Sequence, residues 1–299
     1  MIGLAASASD GPSVMVLGTA QDGGFPQIGC AKKCCAAATA DPSKAIMVSS
    51  LMIRSAKRRW LVDATPDLPQ QIALAGPSKA EAEGGKRPRL IDGIFLTHAH
   101  MGHYTGLMHL GREAYSHPQI PVYCTERMSA FLWQNGPWDL LVKNKNIKPF
   151  PIPADRPYPL DAQVTVTPFS VPHREEYTDT YGYIIRGPKK AVLFIPDIDK
   201  WEKWSTRIED KIAQVDYALL DGTFFAEGEI PGRAMSEIPH PFIEESLARF
   251  APLPKSERAK VIFIHLNHSN PALDPQSDAV KRIEAAGMRV ARQGEVFEL

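Results

Sequence analysis

A short apolar run, Ile94-Phe95-Leu96, ends at Thr97 and is followed within six residues by three histidines, His98, His100 and His103. Side chains two apart on an extended strand point the same way, so His98 and His100 can close on one ion while the chain turns and begins a helix at His103. Neutral imidazole is the commonest ligand for zinc and other borderline cations, and these three are a third of the chain's 9 histidines. The bland alternative is a solvated histidine-rich turn. The buried-strand pattern ahead of the cluster argues against it, because it sets the imidazoles on a rigid element of the kind that carries metal and catalytic sites.

The rest of the chain suits that reading. At 299 residues and 44% hydrophobic it can bury a sizeable core. Lys+Arg and Asp+Glu both number 34, so the cationic excess that attracts nucleic acid is missing and a small-molecule substrate is the expected partner. No apolar stretch nears the roughly 20 residues of a membrane span. Residues 1–12 read as a disordered tail and 13–299 as a single domain. The Ala-Ser run near the start is also compatible with the stump of a trimmed export signal. The 4 cysteines lack the spacing of a disulfide framework, which points to a cytoplasmic, reducing setting.

Strands are expected at 14–17, 45–53, 60–63, 93–96, 121–124, 164–169, 181–185, 191–195, 217–220 and 261–264, and helices at 66–74, 103–114, 126–134, 200–213, 240–250 and 276–286. That mixture predicts two sheets packed between outer helices, an α/β sandwich. Residues 76–89 read as an exposed polar loop, and the loops at 133–139 and 226–238 as walls of a pocket.

Three further polar groups stand just past apolar runs: His173 in Ser-Val-Pro-His, Asp197 in Phe-Ile-Pro-Asp and His265 in Ile-Phe-Ile-His. Each alone is more often a capped turn than a ligand, but together with the 98–103 cluster they make a ligand set. With Thr97-His-Ala-His-Met-Gly-His followed by these three, the chain resembles the metallo-β-lactamase superfamily of metal-dependent hydrolases from about Ser13 to its C-terminus. Gly18-Thr-Ala-Gln-Asp-Gly-Gly-Phe-Pro-Gln, Asp63-Ala-Thr-Pro-Asp-Leu, Leu220-Asp-Gly-Thr-Phe and Ile264-His-Leu-Asn-His-Ser-Asn-Pro are similar to the pyrroloquinoline-quinone biosynthesis B proteins and, more distantly, to the phosphonate-pathway cyclic phosphodiesterases.

The resemblance implies an αββα sandwich of two mixed sheets with metals at one edge between them. It implies His98, His100 and His173 on a first metal, and His103 with His265 on a second, bridged by Asp197. Asp63 would stand behind the ligands, accepting the free N–H of an imidazole. Asp199 is a rival for the bridge, its alternative being the N-cap of a helix that starts near Trp201. The chain departs from the family at Gly102, where an aspartate is the rule between the second and third histidines. The second site would then rest on His103, His265 and Asp197, still enough for zinc with water. One or two catalytic zinc ions are expected, with iron or manganese open. Two ions would generate a hydroxide at neutral pH and polarise a carbonyl or phosphoryl oxygen.

His240, in Met235-Ser-Glu-Ile-Pro-His-Pro-Phe, resembles a substrate-facing histidine of relatives and is a candidate proton donor; its bland reading is a residue at the start of a helix. Cys30, Cys34 and Cys35 can supply most of a structural zinc site, and the resemblance adds His268 as fourth ligand. Lys32 occupies the place of the relatives' middle cysteine, and adjacent Cys34 and Cys35 crowd one another, so buried free thiols are the alternative. Tyr104, Thr105, Trp138, Phe224 and Phe225 are pocket or core residues, while His109 and His117 are read as packing and a His-Pro turn. The leading function is hydrolysis of a small phosphodiester, ester, lactone or amide. An iron-dependent oxidative enzyme and a non-catalytic carrier related to pyrroloquinoline quinone biosynthesis are the alternatives, and the oligomeric state, a homodimer included, stays open.

Overall fold

The run Ala-Val-Leu-Phe-Ile at 191–195 has no polar face, so a strand built from it must be covered on both sides. In the computed structural model, which describes residues 11–77, 89–230, 232, 234 and 237–299, Ala191, Leu193 and Ile195 pack under helices while Val192 and Phe194 face a second sheet. Val14 and Val16 likewise face the other sheet, whereas Met15 and Leu17 lie under the opposite helical layer. The period of two thus divides each central strand between an inter-sheet core and an outer one.

The strands are β1 (Ser13–Gly18), β2 (Ser50–Ser55), β3 (Arg58–Val62), β4 (Gly93–Phe95), β5 (Ile120–Cys124), β6 (Ile147–Pro151), β7 (Tyr158–Pro159), β8 (Thr165–Val171), β9 (Thr180–Arg186), β10 (Ala191–Ile195), β11 (Tyr217–Asp221), β12 (Val261–Ile264), β13 (Arg289–Val290) and β14 (Val296–Glu298). They form two seven-stranded sheets, ordered β14-β1-β2-β3-β4-β5-β6 and β13-β12-β11-β10-β9-β8-β7. In the first sheet pairing is antiparallel from β14 to β3 and parallel from β3 to β6. The second is parallel from β13 to β10 and antiparallel from there to β7. The helices are α1 (Lys33–Ala40), α2 (Leu68–Leu74), α3 (Met101–Tyr104), α4 (Glu126–Gln134), α5 (Trp138–Lys143), α6 (Ile208–Ile212), α7 (Ile243–Phe250), α8 (Lys255–Arg258) and α9 (Asp278–Ala285). Two mixed sheets flanked by helices are the αββα sandwich expected from the sequence.

Several boundaries differ from expectation. The strand expected at 45–53 begins only at Ser50, because Ile46 and Val48 form isolated bridges to Phe25 and Ala20. The helix expected at 103–114 is α3 followed by a 3₁₀ turn, Thr105–Leu110. Here Gly106 donates to the Ala64 carbonyl at 2.9 Å, and a Cβ on it would collide with the Thr65 carbonyl, so the chain bends to keep that approach. The helix expected at 200–213 is split into a turn at Trp201–Lys203 and α6. Trp204 between them is drawn to the sheet by its Nε1–H, which donates to the Ser170 carbonyl at 3.1 Å. Residues 1–10 of the expected tail, 78–88 of the polar loop, and Met235 and Ser236 ahead of His240 lie outside the described residues. Among the described residues no helix is long and apolar enough to cross a membrane.

Candidate metal centre

Strand order decides where the polar residues meet, since the carboxyl ends of the parallel strands in both sheets open on the same edge. Asp63 follows β3, Thr97 and His98 follow β4, His173 follows β8, Asp197 follows β10, Asp221 ends β11 and His265 follows β12. Asp63 and His265 both take left-handed backbone, φ 67° and 65°. That conformation is costly for residues with a Cβ and persists where the surroundings over-determine it.

Asp197, 2% exposed, is the hub. Its Oδ2 lies 3.2 Å from His98 Nε2 and 3.7 Å from both His100 Nδ1 and His103 Nε2, and its Oδ1 lies 3.2 Å from His173 Nε2 and 3.1 Å from His240 Nδ1. Burial works against its charge, yet His173, His240 and His265 hold the carboxyl well below the usual carboxylate range. His98 is pushed well below an ordinary histidine by burial and by His103. Burial pulls His173 and His103 down too, but the carboxylate charge of Asp197 facing the first, and of Asp63 facing the second, lifts them to about 10 and about 9. A field that favours a proton on these nitrogens favours a metal cation there as well, and the two compete.

The proton inventory supports a cation. Thr97 Oγ1 donates to Asp63, 3.0 Å away, and so accepts at 2.9 Å from His98 Nδ1, which leaves Nε2 of that ring as a lone pair. His100 Nε2 faces Glu176 Oε2 at 3.0 Å, which turns its Nδ1 lone pair inward, 2.8 Å from His98 Nε2 and 3.3 Å from His173 Nε2. Lone pairs so close repel unless something positive lies between them, and tetrahedral zinc with bonds of about 2.0–2.1 Å sets ligand nitrogens roughly 3.3 Å apart. His103 Nδ1 donates to Asp63 Oδ2 at 2.7 Å, and His265 Nδ1 faces Thr223 Oγ1 at 3.0 Å. The other nitrogens, His103 Nε2 and His265 Nε2, are buried without a hydrogen-bond partner. Both sets of donors therefore fit a metal ion.

His240 is 4% exposed and its Nδ1 lies 2.8 Å from Asp221 Oδ2. Phe224 packs against it, ring centroids 6.1 Å apart, while Phe225 joins the core under the second sheet and Trp138 packs on Tyr104 and Phe131. Asp199 is not a helix cap. Its backbone N–H donates to the Pro172 carbonyl at 2.8 Å, which brings Oδ1 within 3.3 Å of His173 Nδ1, while Oδ2 accepts from Lys203 at 2.9 Å.

Asp22, Glu176, Asp221 and Thr223 also line the centre, although nothing in the motif spacing singles them out, and Thr97, which opens the histidine motif, lies between Asp63 and His98. Asp22, Asp221 and Thr223 sit in two of the runs similar to relatives, but their roles depend on contacts across the fold. Asp22 lies 3.4 Å from His103 Nε2, beside a cavity of about 370 Å³ lined by Gln21, Gly24, Gln27, Met101 and Asn267.

The cysteines gather on the other side of the loop after β1. Cys30 Sγ and Cys34 Sγ are 3.7 Å apart, and His268 Nδ1 lies 3.7 Å from Cys34 Sγ and 3.4 Å from Cys35 Sγ. Adjacency does not keep Cys34 and Cys35 apart from a common partner, because the first turn of α1 fans them by about 100° and both still reach His268.

Residues 58–294 match the Beta-lactamase superfamily domain. The chain is 29% identical to coenzyme PQQ synthesis protein B of Rhodopseudomonas palustris, covering 94% of this chain and 97% of that one. The structure of Zn(2+)-bound PqqB from Methylobacterium extorquens superposes with a TM-score of 0.81 at 26% identity, over 96% of this chain and 100% of the other. A diphosphatase from the PhnP family shares the fold, with a TM-score of 0.66 at 20% identity over 96% and 97% of the two chains. With its sandwich, its buried histidine and aspartate cluster and this match over most of its length, the chain belongs to the metallo-β-lactamase superfamily.

Proposed function

We propose that the protein is a metal-dependent hydrolase, zinc being the expected ion, that acts on a small phosphodiester, ester, lactone or amide. The observation that carries this is the convergence of imidazole nitrogens on Asp197 with their N–H groups turned away toward Asp63, Thr97, Glu176 and Thr223. In this reading His98, His100 and His173 hold one ion, His103 and His265 a second, and Asp197 stands between them. A bound ion of this kind acidifies water and polarises a carbonyl or phosphoryl oxygen.

The chain's own contribution is orientation and proton handling. Asp63 and Thr97 fix the tautomers of His103 and His98, and Asp199 steadies His173. Asp221 holds His240 by Nδ1, leaving Nε2 as the atom that gives a proton to a leaving group. Burial pulls the His240 pKa down, but Asp221 and Asp197 raise it above the ordinary value, which favours the protonated form that a donor needs. Cys30, Cys34, Cys35 and His268 hold a separate structural zinc, as their 3.4–3.7 Å spacings suit.

The test is turnover of bis(4-nitrophenyl) phosphate and a chromogenic lactam by zinc-loaded protein whose ion content is measured in the same sample. Turnover abolished by His98→Ala supports the proposal. His240→Gln should slow an alkoxide leaving group about a hundredfold or more, and nitrophenolate far less. Full zinc occupancy without turnover of any ester, lactone, amide or phosphodiester overturns it in favour of a carrier.

A further inference from the structure

We propose that Asp22 supplies the carboxylate of the second ion site, a ligand moved from the start of α3 to the glycine-rich loop after β1. The inference rests on the two-ion reading above. Gly102 leaves α3 without an acidic side chain, and the loop after β1 fills the space that one would take. The Gly102 N–H donates to Asp22 Oδ1 at 3.1 Å, and the same oxygen lies 3.4 Å from His103 Nε2. A Cβ at position 102 would collide with Oδ1 and with the Cα of Asp22. The glycine and the aspartate are therefore a matched pair: only a residue without a side chain lets the loop come in, and only then does its carboxylate reach His103.

Three further observations fix this carboxylate as a ligand and not only a turn cap. One oxygen of Asp22 and one nitrogen each of His103 and His265 lie within 4.8 Å of one another. The Nε2 atoms of His103 and His265 are buried without a hydrogen-bond partner, and their Nδ1 atoms are engaged by Asp63 and Thr223, so the lone pairs face the gap that Asp22 closes. The loop is also held rigidly beside His265, since Gln21 N donates to the Leu266 carbonyl at 2.8 Å and Gly24 N to the Gln21 carbonyl at 2.7 Å. With Asp22 the second site has two anionic groups, Asp22 and Asp197, in place of one. Hard and borderline divalent ions prefer such a site to one with a single carboxylate.

The test is a zinc titration of the stripped full-length chain followed by native mass spectrometry. Ions at the cysteine cluster are subtracted with Cys35→Ser, and folding of each variant is checked by its melting curve. Asp22→Asn keeps an acceptor for the Gly102 N–H but loses the charge, and Gly102→Ala keeps the charge but pushes the loop away. Both are expected to hold one ion fewer than the parent, or to need at least tenfold more zinc for it, with the other ion unchanged. If the parent holds two ions and Asp22→Asn holds both with the parent's half-saturation, Asp22 is a turn cap and the proposal falls while the two-ion reading stands. If the parent itself holds a single ion outside the cysteine cluster, both fall together.

Discussion

Two clusters on opposite sides of the centre are built alike. At the ends of β3 and β4, Asp63 takes the His103 Nδ1–H at 2.7 Å and Thr97 Oγ1 meets His98 Nδ1 at 2.9 Å. At the ends of β11 and β12, Asp221 takes the His240 Nδ1–H at 2.8 Å and Thr223 Oγ1 meets His265 Nδ1 at 3.0 Å. In each, the threonine hydroxyl donates to the aspartate, which fixes its acceptor role toward the histidine. They differ in what the aspartate-held histidine faces. His103 turns its Nε2 toward Asp22 and the gap it shares with His265, whereas the His240 nitrogen nearest Asp197 is the one already held by Asp221. One Asp-Thr relay can thus present a metal ligand or hold a proton, and which nitrogen faces the hub decides between them.

The largest expected effect tests whether the two relays carry equal structural weight. Asp63 accepts from Thr97 N and from His103, and Asp221 from Ile198 N, Thr223 N and His240, and both are fully buried. Asp63→Ala and Asp221→Ala should each lower the urea unfolding free energy by about 3–5 kcal/mol, because each strands a buried histidine. A gap of more than about 2 kcal/mol between them, a sizeable part of that cost, would break the equivalence. Thr97→Val and Thr223→Val come next: each should weaken zinc by about 10–100-fold, the first at the His98 ion and the second at the His265 ion, as read by competition with a chromogenic chelator. If both weaken the same ion, the two-sided assignment fails. Glu176→Gln is a smaller perturbation, since Glu176 is half exposed, is shared with Arg174 at 3.7 Å and reaches the centre only through His100. It should cost less than about tenfold in zinc affinity.

A pair remote from both relays sets the floor. Glu209 is kept charged by Arg249: burial raises its pKa, but the 2.8 Å contact wins and holds it below the usual carboxylate range. A carboxyl depressed in the folded state stabilises above its unfolded pKa of about 4.3, and that contribution is lost as pH falls through the lower folded value. Arg249→Met should therefore cost under about 1 kcal/mol at pH 7, and the difference from the parent should vanish in the acid limb of the stability curve.

The strands legible in the sequence are the central ones. The four it does not reveal, β6, β7, β13 and β14, are the four edges of the two sheets. An edge strand is hydrogen-bonded on one side only and tolerates proline, as β6 does in Ile-Lys-Pro-Phe-Pro, so it carries little of the apolar alternation that marks a central strand. The helix expected at 200–213 fails for a related reason. Periodicity reads the faces of a segment and cannot register the tryptophan contact that pulls Trp204 out of helical register.

The chain itself determines what is local: the 98–103 histidine cluster, the strands that end at His173, Asp197 and His265, and the presence of three closely spaced cysteines. Each of those signals spans only a few residues, a range over which spacing alone constrains geometry. Only the tertiary structure decides the partners that come from far away in the chain. Asp22 meets His103 across 81 residues, Asp221 meets His240, and Asp199 meets His173 instead of capping a helix. Glycine at position 102 reads in one dimension as a missing ligand. In three dimensions it is the clearance through which another segment delivers a carboxylate, because close packing makes the space left by a side chain available to whatever the fold brings next to it.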